Sequence, residues 1–400
     1  MAIRVSENMK YNTMVNNLFR AQDSYNAAME KMASQKKINR PSDDPVGMSR
    51  IVSLRKSRAS VGQYRRNIDG CNSWIEITES KLSSVDDLLV NAQEIAIAQS
   101  TATASAETRS ISAVAVQQIM DEMLSLANSK YGDRYLFSGT RMDEEPFSSS
   151  ESAAAIGPAV AADGNVFDGT VASGGGPYTG SVNKTYVVKI IDSGAFGTAT
   201  YQVSSDGGKN WSSTNTIPAG GTITLGDGID LTFTAGSNDL TTNDIFYVNA
   251  SAPGYYNGNG EELSVEIGKD TPFDYSISGE SVFTDNGGGN VDIFKVLNDL
   301  KNSLEANDPD GIAAQLDNLQ KASEQVNENI ARCGARMNRL EIAENNMADL
   351  DFNLTKLISN TEDADISEIA TELAMKEIAL KASYKVASKI ENLTILDFLK

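Results

Sequence analysis

Two stretches of the chain carry apolar residues at alternating spacings of three and four over many helical turns. The second and longer stretch extends from Val61 to Ala96. The first stretch, nearer the start of the chain, consists of Tyr11, Met14, Leu18, Ala21, Tyr25, Ala28 and Met32. This spacing is typical of a long α-helix that packs lengthwise on another helix through one narrow apolar stripe. Such a helix is not stable alone in water, so the pattern predicts paired helices.

The same spacing returns in the last quarter of the chain. It extends from Leu316 to Leu340 and, after a change of step, on to Leu357. The polar stretch 360–365 interrupts it and is expected to start a last helix. We predict that the first and last helices pair in a terminal coiled coil and contact other subunits. The residues assigned to this interface are Tyr11, Met14, Leu18, Ala21, Tyr25, Met32, Leu373, Leu380, Ile390, Leu393, Leu396 and Phe398.

A corner between helices is predicted where the first run ends. The motif that carries it is Arg40, Pro41, Ser42, Asp43, Asp44 and Pro45. Pro41 disfavours helical geometry at Arg40. The side chains of residues 42–44 can accept hydrogen bonds from the free N–H groups of a helix start, and Pro45 suits a first helical position.

The middle of the chain has a different composition. Residues 138–290 hold 25 of the 31 glycines and 6 of the 9 prolines. Because both residues disfavour helix interiors, this segment is predicted to be a β-rich insert between helical arms. It also holds 5 Lys and Arg against 19 Asp and Glu, a net charge of −14, so it carries most of the charge of the chain.

Seven strands are predicted in the insert. We interpret the first five as a small antiparallel sandwich or barrel-like module, and the last two as a separate strand pair that closes the insert. Residues 147–182 are rich in Ser, Ala and Gly and are predicted to be mainly loops. The predicted strands are 186–191, 198–203, 222–225, 229–234, 244–248, 263–267 and 273–277.

The fold class predicted from these patterns is α+β, with a long helical rod formed by both arms and an inserted β-rich domain. The predicted boundaries separate an N-terminal helix of the terminal coiled coil, the two halves of the rod, the insert between them, and a C-terminal helix. The corresponding ranges are 1–44, 45–137, 138–290, 291–360 and 361–400.

The composition excludes most catalytic chemistry. The chain has no histidine, which removes the usual general base and the commonest metal ligand. The two cysteines, Cys71 and Cys333, lie on the apolar stripes and are predicted to be small buried side chains. We therefore predict no enzyme activity, no cofactor and no metal. A net charge of −20 also argues against a nucleic-acid surface or an anionic membrane surface.

One local motif leaves alternatives open. Ser204, Asp206, Gly208 and Trp211 match the spacing of an Asp-box hairpin, in which the Asp accepts backbone N–H groups and the Trp packs beneath the turn. A carbohydrate enzyme or a carbohydrate-binding module remains possible on this motif. Calcium binding by the scattered aspartates of the insert is a further alternative to a solvated acidic surface.

Five segments of the chain carry distinctive motifs: residues 4–9, 35–45, 133–140, 372–383 and 396–399. Together they resemble motifs of the bacterial flagellin superfamily, and the resemblance covers about residues 1–140 and 255–400. The form of the corner motif and of the last residues looks like the hook–filament junction branch rather than flagellin proper.

The resemblance implies a structural subunit without catalysis. Proteins of this branch form a ring with copies of themselves and contact hook-associated protein 1 and flagellin. They are held by an export chaperone and leave the cell through the flagellar type III system. This implies an extracellular location without a cleaved signal, and the start of the sequence has no apolar signal segment. A filament-forming flagellin and an exported coiled-coil adhesin remain the alternatives.

Overall fold

The structure is a computed structural model that describes residues 2–101, 103–286 and 289–398, without the side chains of residues 2–8, 10 and 390–398. Its contacts divide the chain into two compact units. The first contains the described residues up to Arg66 and from Glu344 onward, and the second contains Asn67–Ala343.

Helices form both arms, and fourteen strands lie between them in the described chain. The helices are α1 (Ala2–Ser34), α2 (Pro45–Gln99), α3 (Ala106–Ala127), α4 (Gly279–Phe283), α5 (Ile293–Glu305), α6 (Pro309–Glu362) and α7 (Ile366–Phe398). The strands are β1 (Lys130–Tyr131), β2 (Arg134–Tyr135), β3 (Phe147–Ser152), β4 (Ala155–Ala161), β5 (Thr170–Gly175), β6 (Lys184–Asp192), β7 (Thr200–Ser204), β8 (Asn215–Thr216), β9 (Thr222–Gly226), β10 (Ile229–Thr234), β11 (Ile245–Ser251), β12 (Gly254–Tyr256), β13 (Ser264–Gly268) and β14 (Thr271–Asp274). The predicted α+β class is confirmed.

The first unit is built from two helix pairs. Helix α1 packs along α7, and the ends of these helices at Gln35 and Ala364 are joined by a backbone hydrogen bond of 3.1 Å. The chain therefore runs in opposite directions in the two helices. Within the same unit, the guanidinium of Arg58 on α2 donates to Asp351 on α6 at 2.9 Å.

The second unit has a helical core formed by the stripe predicted in α2. Every predicted position of this stripe from Ile68 to Ala96 is buried, Cys71 among them. Facing it, α6 buries Leu319, Val326, Cys333 and Leu340. Both cysteines are free and buried, as predicted. The three-four spacing succeeds here because each stripe position returns to the same helix face.

A buried arginine that the sequence did not single out fixes the turn between α2 and α3. Arg109 donates to the backbone oxygens of Gln99 and Thr101 at 3.0 and 2.8 Å, and to the side chain of Asn307 at 2.6 Å. It thereby satisfies carbonyls that the end of α2 leaves without helical partners.

The insert contains an antiparallel β-sandwich. One sheet has the strand order β5-β10-β9 and the other β4-β11-β6-β7-β8. Alternate residues of both sheets point inward and share one core, for example Leu231 and Phe233 from β10 with Phe246 and Val248 from β11. The hairpin β13–β14 lies outside this core, and Tyr275, which follows it, stacks edge-on against Trp74 of α2.

Two details of the insert differ from the prediction. The segment 147–182, expected to be mainly loops, contains the strands β3, β4 and β5, because their backbones find partners in β12, β11 and β10. The Asp-box turn forms, with Asp206 accepting the N–H of Asn210 at 2.9 Å. The ring of Trp211 lies against Gly208 of this turn, but its side chain is 38% exposed, so it is not a core residue.

Candidate assembly site

The corner motif forms a compact capped turn. Asp43 accepts the N–H groups of Asn39 and Arg40 at 3.0 and 2.8 Å, and these bonds hold the pKa of its carboxyl below the usual value. Asp44 accepts the N–H groups of Val46 and Gly47 at 3.1 and 2.9 Å, which caps the start of α2.

The remaining motif residues complete the turn from both sides. Helix α2 begins at Pro45, as predicted from its fixed φ. Arg40 binds Glu30 of α1 with two hydrogen bonds of 2.9 and 3.2 Å. Pro41 and Ser42 are exposed between these two anchors.

A second connection of the chain, between α6 and α7, lies directly against this corner. Lys36 and Asp363 form an isolated antiparallel bridge. The N–H of Lys37 donates to the carbonyl of Glu362 at 2.8 Å, and its ammonium donates to the carbonyl of Asn360 at 3.0 Å. Both helix-to-helix connections are therefore tied together by backbone hydrogen bonds.

The Glu362 side chain completes this junction. The side chain is 6% exposed, and its Oε1 atom forms ion pairs with Lys36 Nζ at 2.5 Å and with Arg55 Nη2 at 2.7 Å. Burial favours a higher pKa for Glu362, but the hydrogen bonds from Lys36 and Arg55 outweigh it, so the pKa is lowered. The sequence does not predict this group, because Arg55 and Glu362 are 307 positions apart. We call Lys36, Arg55 and Glu362 the corner cluster.

The predicted interface residues lie mainly on the inner face of the α1–α7 pair. Tyr11 is exposed. The side chains of Ile390, Leu393, Leu396 and Phe398 lie outside the described residues. Half-buried positions are Met14, Leu18, Ala21, Tyr25, Met32 and Leu373, and Leu380 is buried. Their role in subunit contacts stays a prediction.

Both terminal helices also display large apolar side chains that their mutual packing leaves in solvent. Phe19 is 61% exposed and Ile378 is 67% exposed. The exposed set, which we call the outer apolar residues, is Met9, Tyr11, Phe19, Met29, Ile366, Met375, Ile378, Tyr384 and Val386. Soluble monomers rarely concentrate exposed apolar side chains, so this distribution suits contacts with further protein.

The insert joins the helices through three chain segments that lie against one another. We call residues 137–141, 256–261 and 279–280 the insert base. The glycines at positions 139, 258 and 279 leave no room for a side chain, because an added Cβ would meet the backbone of a neighbouring segment. The segment 133–140, singled out in the sequence, thus ends inside this join.

Hydrogen bonds close the insert base. Asn259 is 1% exposed; its N–H donates to the carbonyl of Ser138 at 3.2 Å, and its side-chain oxygen accepts the N–H of Thr140 at 2.9 Å. The N–H of Gly279 donates to the carbonyl of Phe137 at 2.7 Å. These bonds satisfy backbone groups that the passage from helix to sheet leaves unpaired.

The described residues contain no group of three or more Cys, Asp or Glu arranged to hold a metal ion. None of their helices is both long enough and apolar enough for a bilayer crossing.

Family models match both arms of the chain. The bacterial flagellin N-terminal helical region matches residues 5–142, and the bacterial flagellin C-terminal helical region matches residues 316–399. Together these matches account for more than half of the 400 residues. The chain belongs to the flagellin family, and the segment between the two matches contains the whole β-sandwich.

Individual relatives come from two branches of this family. The chain is 32% identical over 147 residues to flagellar hook-associated protein 3 of Escherichia coli, in a match that covers 36% of this chain and 46% of that protein. It is 23% identical over 397 residues to flagellin C of Vibrio cholerae, covering 97% of each. The chain thus matches about half the length of the hook-associated relative.

A solved structure shares the fold. The structure of a flagellar hook-associated protein from Vibrio parahaemolyticus aligns with a TM-score of 0.51 at 14% identity, covering 80% of this chain and all of that one. At this identity the likeness supports the architecture, which is helical arms around an insert.

Proposed function

We propose that the chain is a structural subunit of the bacterial flagellum that joins the hook to the filament. The match to hook-associated protein 3 and the form of the corner motif favour this place in the flagellum over others. The observation that carries the proposal is the set of outer apolar residues on α1 and α7. A subunit that contacts proteins on several sides needs such surfaces after its own helices have paired.

The partners follow from this position. Copies of the chain form a ring that contacts hook-associated protein 1 on the hook side and flagellin on the filament side. An export chaperone holds the C-terminal region before the chain leaves the cell through the flagellar type III system. The mature protein is extracellular, within the flagellum. It has no catalytic step to perform, in keeping with a sequence that contains no histidine.

A filament subunit is the second candidate. The alignment with flagellin C of Vibrio cholerae, which covers 97% of both chains, favours it. The two candidates share the family fold and the apolar terminal helices. They differ in where along the flagellum the protein lies and in how many copies are present.

Deletion of the gene separates the candidates. Cells without the protein are expected to carry hooks without filaments and to lose flagellin into the medium, because the first flagellin subunits have no layer to assemble on. The measurement is electron microscopy of the cells, combined with an immunoblot of the culture supernatant. Restoring the gene on a plasmid is the control.

Two results contradict the junction role. Hooks that carry normal filaments after deletion would show that the filament attaches without this chain. Filaments that are shorter or altered in shape, but attached, would support the filament-subunit candidate instead.

A further inference from the structure

The insert base holds charged groups that its hydrogen bonds do not satisfy. Among the described residues, one oxygen of Glu280, one oxygen of Glu261 and two nitrogens of Arg141 are buried without a hydrogen-bond partner. The Glu280 carboxylate lies against Gly260, and the Glu261 carboxylate lies against Gly207. A buried ionised group without full hydrogen bonding costs free energy, so the stability of the insert base depends on whether these groups are charged.

Glu280 is the member of this set with access to a cavity. A cavity of about 270 Å³ is lined by Glu280 together with Glu151, Asp285, Asp292 and Lys295. Three of these four neighbours are acidic. The cavity therefore gives a proton a route to Glu280 but offers little positive charge to stabilise its ionised form.

The other charged groups near Glu280 do not balance it. Lys184 attracts its carboxylate, but the same ammonium lies 2.7 Å from Asp227 and already forms an ion pair there. Glu261 repels it. The titratable and charged groups around Glu280 are Arg141, Glu151, Tyr178, Lys184, Tyr256, Glu261, Asp285, Asp292 and Lys295.

We propose that Glu280 is a proton switch in the insert base: protonated, it lies there without charge, and its ionisation loosens the join between insert and helices. The geometry explains the coupling. Glu280 lies in the first turn of the short helix α4, whose Val282 and Phe283 are fully buried. Phe283 stacks against Phe137 and Phe147, so a shift of α4 reaches the aromatic contacts between insert and helices.

Burial sets the working range of the switch. Burial raises the pKa of Glu280 from 4.5 to about 7, with repulsion by Glu261 in the same direction and Lys184 opposing. A raised pKa in the folded state means that the protonated form is favoured by folding. The join is therefore tightest below pH 4.5 and weakens as the pH rises towards and through 7.

Hydrogen exchange of the purified full chain tests the proposal. The amides to follow are those of Gly279 and Thr140, which donate across the insert base. If the opened state has the ordinary carboxyl pKa, its population rises about 30-fold between pH 5.5 and 8.5. Exchange corrected for its intrinsic pH dependence is expected to accelerate by that factor in the wild type.

Three variants and one direct titration decide the outcome. Glu280→Gln is expected to accelerate less than twofold over the same range, while the exposed control Glu266→Gln accelerates like the wild type. A pH dependence abolished by Glu261→Gln but kept in Glu280→Gln would overturn the proposal. So would a carbon NMR titration of the wild-type Glu280 carboxyl with its midpoint below pH 5.5, a measurement that does not depend on any variant folding.

Discussion

At the scale of single residues, the first unit depends on one buried carboxylate. Glu362 connects two cations from different parts of the chain, Lys36 before the corner and Arg55 on α2. Its backbone also pairs with Lys37. The Glu362 side chain is 6% exposed, whereas both cations are partly in solvent, so Glu362 is the least hydrated member of the corner cluster. A substitution that removes its charge therefore acts on the most buried charge of the cluster.

The variant Glu362→Gln is expected to lower the free energy of unfolding of the first unit by about 1–3 kcal/mol at pH 7. It removes the buried carboxylate of the ion pairs, but Lys36 and Arg55 are partly exposed and stay hydrated without it. The pKa of Glu362 is lowered in the folded state, so its contribution is fully present above pH 4.5 and is lost as the pH falls through the folded pKa. Urea unfolding at pH 7 and pH 3 measures both effects.

The neighbouring exposed carboxylate provides the matched control. Asp363→Asn changes the same charge one position along, and its cost is expected to be below about 0.5 kcal/mol. Equal destabilisation by the two variants would contradict a specific role for the corner cluster.

The sequence predicts the role of a residue where that role depends on neighbours within a few positions of the chain. Asp44 caps α2 and Pro45 starts it as predicted, because both act on neighbouring backbone groups. The prediction was wrong for Asp43, which accepts the N–H groups of Asn39 and Arg40 before the helix instead of those at the start of α2. Glu362 and Arg109 were not predicted. Their hydrogen-bond partners include Arg55 and Asn307, which lie 307 and 198 positions away and are brought together only by the complete fold.

At the scale of elements, the helices were predictable and part of the sheet was not. Three-four spacing identifies a helix face from its own residues. The strands β3, β4 and β5 lack a comparable signal: most of their side chains are exposed or half-buried, and Gly174 and Gly175 have none. These strands are stabilised by the strands with which they pair. The residue pattern of one strand alone does not show that such a partner exists.

On α7, an exposed apolar residue and a buried one lie two positions apart, so variants of the two can distinguish subunit contacts from stability of the monomer. Ile378 is 67% exposed, so Ile378→Ser is expected to change monomer stability by less than about 0.5 kcal/mol and to abolish filament attachment in complemented deletion cells. Leu380 is 8% exposed, so Leu380→Ala is expected to cost about 2 kcal/mol or more. Thermal unfolding and a motility assay measure the two properties.

Val160 offers a control outside the helices. It is 54% exposed on the β-sandwich, and Val160→Ser is expected to leave both stability and motility unchanged. Normal motility with Ile378→Ser would contradict the assignment of the outer apolar residues to subunit contacts.

At the scale of the whole molecule, charge and surface chemistry are distributed unevenly. The stretches 1–66 and 344–400 hold 19 Lys and Arg against 16 Asp and Glu, a net charge of +3. The insert, residues 138–290, carries a net charge of −14. Strong like charge opposes association, so the terminal regions are the part of the chain suited to close packing with copies and with related chains.

The measurement that tests the central claim most directly is immunogold labelling of intact flagella with an antibody against the β-sandwich, followed by electron microscopy. A junction subunit predicts one narrow band of label where the hook meets the filament, and its loss in the deletion strain. Label distributed along the whole filament would contradict the junction role and identify the chain as a filament subunit.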